Sequence, residues 1–178
     1  MKSVERKTRE TDIRIEMGRG TGAASVSTGS GFLDHMMTTL ARYSGLDITV
    51  AATGDIKHHL IEDVAIAAGA ALAGVIPATC ARYANRTIAM DDALVQAVLD
   101  AGGRPFYEGP LPSNLYEQWM RSFADNAKIT LHIVVIRGKD RHHIVEAAFK
   151  ALGLAIRDAM VETDAVFSTK GAVSMESG

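Results

Sequence analysis

HHLIEDVAIAAGAAL, from His58 to Leu72, returns as HHIVEAAFKALGLAI, from His142 to Ile156, 84 residues further along the chain. Each copy opens on two histidines, carries a glutamate four residues after the first of them, and continues as an apolar run at helical spacing. Each also follows an alternating stretch and a turn, ITVAATGDIK at Ile48–Lys57 and ITLHIVVIRGKDR at Ile129–Arg141. A repeat this long, with strands and helices in both copies, implies a duplicated α+β unit rather than a solenoid. The expected architecture is a four-helix layer packed between two β-sheets, which buries both sets of apolar helix faces. The chain is expected to be one domain, 1–178, made of two repeats at about 1–83 and 84–178.

Working outward, apolar–polar alternation predicts a strand at Asp12–Met17, with Ala23–Ser27 as its partner across the Gly18–Gly22 turn. A helix is expected from Phe32 to Tyr43, a strand at Leu46–Ala52, and a helix from His58 to Ile76 that Pro77 stops. In the second series, strands are expected at Thr87–Met90, Val95–Ala101 and Lys128–Ile136. A partly helical stretch is expected from Pro110 to Asp125 and a long helix at Arg141–Val161. The end from Asp164 to Gly178 reads as a Ser/Gly-rich tail.

The 178 residues are 47% hydrophobic and 22% charged, which is ordinary for a globular chain. Nineteen basic and 21 acidic side chains leave a net charge of −2, which argues against an electrostatic nucleic-acid or membrane binder. A lone Cys80 excludes an internal disulfide and fits a reducing compartment. There is no apolar run of membrane-spanning length, and the start is too charged for a secretory signal. A cytoplasmic protein is expected.

Histidine carries the chemistry. His58 and Glu62 stand at i and i+4 of one helix, as do His142 and Glu146 of another, so each pair shares a face and can meet one ion. The adjacent His59 and His143 are turned by roughly 100° and more easily reach a different ion. With His35 at the first helix start and His132 in a strand, six imidazoles and two carboxylates divide into two sites of three His and one Glu. Such sites leave positions open for water or substrate on a six-coordinate ion. One HH pair at a helix start is ordinarily a surface pair. Two at matching repeat positions are what a ligand role requires and a packing role does not. Zinc, iron and manganese all tolerate these donors. Arg82, Arg104, Ser168 and Lys170 have the chemistry of a phosphate site, and Glu10 that of a general base. Asp34 and Asp63 are candidates to orient a metal-bound imidazole, with helix capping the alternative for Asp34.

GFLDHMM at Gly31–Met37, HHLIEDVAIAAG at His58–Gly69 and MDDALVQAVLDAGGRP at Met90–Pro105 resemble the imidazoleglycerol-phosphate dehydratase family. So do TLH at Thr130–His132, HHIVEAAFKAL at His142–Leu152 and STKG at Ser168–Gly171. The resemblance covers nearly the whole chain and all six histidines. It implies a fold like ribosomal protein S5 domain 2 and two Mn²⁺ ions per active site. It also implies a homo-oligomer built from trimers, typically a 24-mer with sites at subunit interfaces. The implied activity is a hydro-lyase of L-histidine biosynthesis. It would convert D-erythro-imidazoleglycerol phosphate to imidazoleacetol phosphate and water, through a metal-bound imidazolate and a diazafulvene-like intermediate. Position by position, His35, His58, His59, Glu62, His132, His142, His143 and Glu146 become metal ligands. Glu10 becomes the proton-transfer residue, and Arg82, Arg104, Ser168 and Lys170 the phosphate set. Compared with the family, the connection Gly54–Lys57 is three residues short, Lys57 replaces an aspartate, and Leu60 and Thr39 replace a usual threonine and glutamine. Two rivals share the ions: a dinuclear-metal phosphate-ester hydrolase, and a non-catalytic metal-bridged assembly protein.

Overall fold

The computed structural model describes residues 1–165. One series of elements occurs twice. The first comprises β1 (Lys2–Lys7), β2 (Thr11–Arg19), β3 (Ala24–Ser27), α1 (Gly31–Ser44), β4 (Leu46–Gly54) and α2 (Lys57–Ala73). The second comprises β5 (Tyr83–Met90), β6 (Ala93–Asp100), β7 (Phe106–Glu108), α3 (Asn114–Ala127), β8 (Thr130–Arg137) and α4 (Arg141–Ala159). The sheets have the matching orders β1-β2-β4-β3 and β5-β6-β8-β7. Within each, only the last pair is parallel, β3 with β4 and β7 with β8. Parallel neighbours need a crossover, and α1 and α3 supply it.

Strand β2 shows why the sheets bury one face: Ile13, Ile15 and Met17 point into the core while Asp12 and Arg14 point out. Ala93, Val95, Ala97 and Leu99 do the same for β6. Helices α1 and α2 cover the first sheet and α4 and α3 the second, while α2 packs on α3 and α1 on α4. The result is the expected four-helix layer between two sheets. The two helix contacts are close for the same reason. Gly69 and Gly153 occupy the twelfth place of the two quoted stretches. A Cβ on Gly69 would lie 2.4 Å from the Phe123 carbonyl oxygen, and one on Gly153 2.7 Å from the Tyr43 Cβ. Within the helix layer, the Trp119 ring stacks on Phe123 of the same helix at 4.8 Å and tilts against Phe149 of α4 at 4.5 Å.

The outer faces differ. Arg14 on the first sheet is ion-paired with Glu16 at 2.9 Å and with Glu5 at 3.9 Å. The second sheet instead turns Val98, Val134, Ile136 and Phe106 to the outside.

Several expectations are corrected. β3 pairs with β4 and not with β2. The Asp47 carboxylate accepts from Thr21 N–H and Ala23 N–H, and Gly20 N–H donates to the Gly45 carbonyl, so the loop is drawn to the start of β4. The long helices stop earlier, at Ala73 and Ala159. The loose stretch after Pro110 contains a full helix, held by buried Tyr116, Trp119, Met120 and Phe123. Strand β1, mostly charged, and the three-residue β7 had no expected counterpart.

Candidate metal centre and active site

The donors sit at helix starts. α2 and α4 each carry the two histidines in their first turn, and α1 carries His35 as its fifth residue. Because α1 packs on α4, His35 comes to Glu146. The Nε2 atoms of His35 and His142 both lie 3.1 Å from the same Glu146 oxygen, Oε2, and the two rings are near-parallel with centroids 6.2 Å apart. The three donor atoms fall within 4.8 Å of one another, a spacing that a single ion can close. Glu146 is buried, and Lys150 one turn on reaches its other oxygen at 3.0 Å. Burial alone would raise the Glu146 carboxyl. Hydrogen bonds from Lys150 and His35 outweigh it and hold the group below the usual carboxylate range, so it stays ionised for a cation.

The first repeat is similar but not equal. His58 Nε2 stands 3.6 Å from Glu62 Oε2. At the place of His35, the fifth residue of the packed helix, α3 presents Gln118, whose Nε2 donates to Glu62 Oε1 at 3.1 Å. An amide thus replaces an imidazole. A second group gathers beside it. Asp55 N–H donates to the Glu10 carbonyl, which carries the β1–β2 turn to the start of α2. His59 Nδ1 then lies 2.8 Å from Asp55 and 3.5 Å from Glu10 Oε2. The hydrogen bond to Asp55 raises the His59 imidazole and lowers the Asp55 carboxyl. In the second repeat His143 Nδ1 lies 2.7 Å from Asp92, which raises His143 and holds Asp92 far below the carboxylate range.

Not all expected residues converge within one chain. His132 stands on the outer face of the second sheet, opposite Val98 and with its ring 5.6 Å from Phe106. Neither donor cluster found among the described residues includes it. Arg82 packs beside Gly102 and forks onto Asp100, with Nε at 2.7 Å and Nη2 at 3.1 Å. Exposed Arg104 follows in the same loop, its carbonyl accepting from Thr130 Oγ1 at 2.8 Å. These arginines belong to the Thr130 end of β8, whereas α4 starts beyond the Arg137 end, about 23 Å along the strand. Ser168 and Lys170 lie outside the described residues. Asp34 accepts from Thr28 N–H and Oγ1 and so ties the loop before α1 to its first turn. Asp63 is buried, accepts from Thr11 Oγ1 and is ion-paired with Arg6, and so ties α2 to the facing ends of β1 and β2.

Reasoning from sequence missed Asp55, Asp92, Gln118 and Lys150. Asp55 precedes His59 by four residues and Lys150 follows Glu146 by four, so helical spacing could have found both. Asp92 and Gln118 arrive through tertiary packing and have no local signal.

The sequence model of the imidazoleglycerol-phosphate dehydratase family matches residues 28–156. The imidazoleglycerol-phosphate dehydratase of Aliarcobacter butzleri is 39% identical, with 96% of this chain and 99% of that protein covered. That of Methanococcoides burtonii is 42% identical, with 94% and 96% covered. Among solved structures, IGPD from Pyrococcus furiosus in complex with (S)-C348 superposes with a TM-score of 0.87 at 38% identity, covering 96% of this chain and all of that one. The Staphylococcus aureus enzyme gives 0.81 at 32% identity, covering 92% of this chain and all of its own. With the duplicated fold and the paired His/Glu helix starts in place, the chain belongs to the imidazoleglycerol-phosphate dehydratase family and is an enzyme of the hydro-lyase class.

Proposed function

We propose that this chain catalyses the metal-dependent dehydration of D-erythro-imidazoleglycerol phosphate to imidazoleacetol phosphate in L-histidine biosynthesis, in the cytoplasm. The observation that carries the reading is the convergence of His35, His142 and Glu146 on one point, a nitrogen–oxygen donor set suited to Mn²⁺ and its neighbours. His35, His58, His59, Glu62, His132, His142, His143 and Glu146 would hold two ions per active site. When bound, they supply the positive charge that favours the imidazolate form of the substrate ring.

The remaining chemistry belongs to side chains. Glu10, about half exposed beside His59, takes the proton from the carbon next to the one that loses hydroxide. The enol so formed ketonises, in keeping with the diazafulvene-like course expected from the sequence. Arg82 and Arg104, with Ser168 and Lys170, bind the phosphate and fix the reacting carbon over the base. Asp100, already bidentate on Arg82, holds that guanidinium in place.

The separation of the helix-start donors from His132 and the arginines supports sites shared between copies. The apolar outer face around His132 supports the same reading: a trimer-based homo-oligomer, taken as the 24-mer that the family resemblance implies. Each copy is a single domain of two repeats, dividing near residues 83 and 84. Mixing two variants tests the sharing. His142→Ala and His132→Ala are each expected to be inactive, and co-assembly after dissociation in chelator is expected to restore part of the ketone-forming activity. Mixtures as inactive as their components would contradict shared sites. Release of inorganic phosphate by the wild type would favour a hydrolase instead.

A further inference from the structure

The second histidine of each HH pair is held in the same way by unrelated parts of the chain. His59 Nδ1 is 2.8 Å from Asp55 Oδ1, contributed by the turn between β4 and α2. His143 Nδ1 is 2.7 Å from Asp92 Oδ1, contributed by the β5–β6 turn 51 residues away. Both carboxylates are themselves fixed by backbone. Asp55 Oδ1 accepts from Ile56 N–H at 2.7 Å, and Asp92 Oδ2 accepts from Lys139 N–H at 2.5 Å and Asp140 N–H at 3.1 Å.

An ionised carboxylate can only accept, so each Nδ1 must carry the hydrogen and each neutral ring keeps its lone pair on Nε2. The other helix-start histidines already aim Nε2 at a glutamate: His35 and His142 at Glu146, and His58 at Glu62. Nε2 is thus the atom turned to the glutamate at three of the rings and the atom left with the lone pair at the other two. Two neighbours face these rings as well. Glu10 Oε2 lies 3.5 Å from His59 Nδ1, and the exposed Asp91 carboxylate lies 3.4 Å from His143 Nε2.

We propose that Asp55 and Asp92 are positioning residues of the metal centre, each fixing the tautomer and direction of its histidine so that Nε2 is presented to an ion. This rests on the dehydratase reading above, which makes His59 and His143 ligands. A carboxylate behind a ligating imidazole is a common device, and its loss costs about 10–100-fold in metal affinity.

The test is a double-mutant cycle on the full chain, stripped of metal and titrated with Mn²⁺ while free Mn²⁺ is followed by electron paramagnetic resonance. Asp55→Ala and Asp92→Ala are expected to weaken Mn²⁺ binding by about 10–100-fold, and Asp55→Asn, which keeps an acceptor oxygen, to recover part of the loss. In a His59→Ala background, Asp55→Ala is expected to cost nothing further, since it acts through His59; likewise for Asp92 in a His143→Ala background. Equal losses in both backgrounds would mean a structural role at the helix start and would overturn the proposal, as would wild-type affinity in the single variants. Asp55→Ala losing more than His59→Ala would make Asp55 a ligand in its own right and also overturn it. A wild type that binds no Mn²⁺ would bring down the dehydratase reading itself, and the proposal with it.

Discussion

A single backbone bond, Asp55 N–H to the Glu10 carbonyl, brings the proposed base next to a proposed ligand. Glu10→Gln keeps the size and hydrogen-bonding shape while removing the proton acceptor. It is expected to bind substrate normally and to lose about 10²–10⁴-fold in kcat, read by comparing equilibrium binding with turnover. Near-normal turnover would remove Glu10 from the mechanism. Away from the site, Asp47 gives a pH dependence with a definite sign. Hydrogen bonds from Ala23 N–H and Thr21 N–H lower its carboxyl in the folded protein. Its contribution is therefore complete above the unfolded value near 3.9 and is lost as pH falls through the lower folded value. The stability difference between wild type and Asp47→Ala, measured by urea unfolding in chelator, is expected to be constant from pH 7 to 5 and to shrink in stronger acid. A difference that is unchanged at pH 3 would contradict the assignment. At this scale the repeated HH-x-x-E pattern was legible because the proposed ligands are fixed by spacing on one helix. The residues beside them were missed: Asp55 and Lys150 lie at helical spacing from them, whereas Asp92 and Gln118 arrive only through tertiary packing.

The elements follow from the same repeat. Long apolar runs made α2 and α4 readable, though not where they end, and alternation did so for β2, β4 and β8. Strand β1 was not readable, because its sequence KSVERK has almost no apolar stripe and its place as a strand comes from pairing with β2. The pairing of β3 was misread because a glycine-rich turn after a strand suggests a hairpin, whereas Asp47 and Gly45 capture this turn for β4. Gly69 and Gly153 set how near the helices approach. Alanine at either is expected to cost at least about 1–3 kcal/mol, because a backbone or Cβ atom must move to admit the methyl group. Urea unfolding in chelator measures it, and full wild-type stability in Gly69→Ala would mean that α2 and α3 do not pack this closely.

For the whole molecule, the duplication was fully legible, and so was the layer order, because two amphipathic helix pairs and two one-sided sheets have few ways to bury their faces. The proposed sharing of sites between copies has no signature in spacing along one chain. The apolar outer face of the second sheet gives that question a handle. Replacing Val134 and Ile136 with Glu is expected to leave a folded chain that scatters light as a smaller species, with metal-dependent activity lost. An unchanged assembly would place the contact elsewhere.

The most direct measurement supplies imidazoleglycerol phosphate to the metal-stripped protein, with and without Mn²⁺, and follows ketone and free phosphate together. The dehydratase reading predicts ketone only with metal and no phosphate release. Phosphate without ketone, or neither product from protein that has demonstrably bound Mn²⁺, would contradict it.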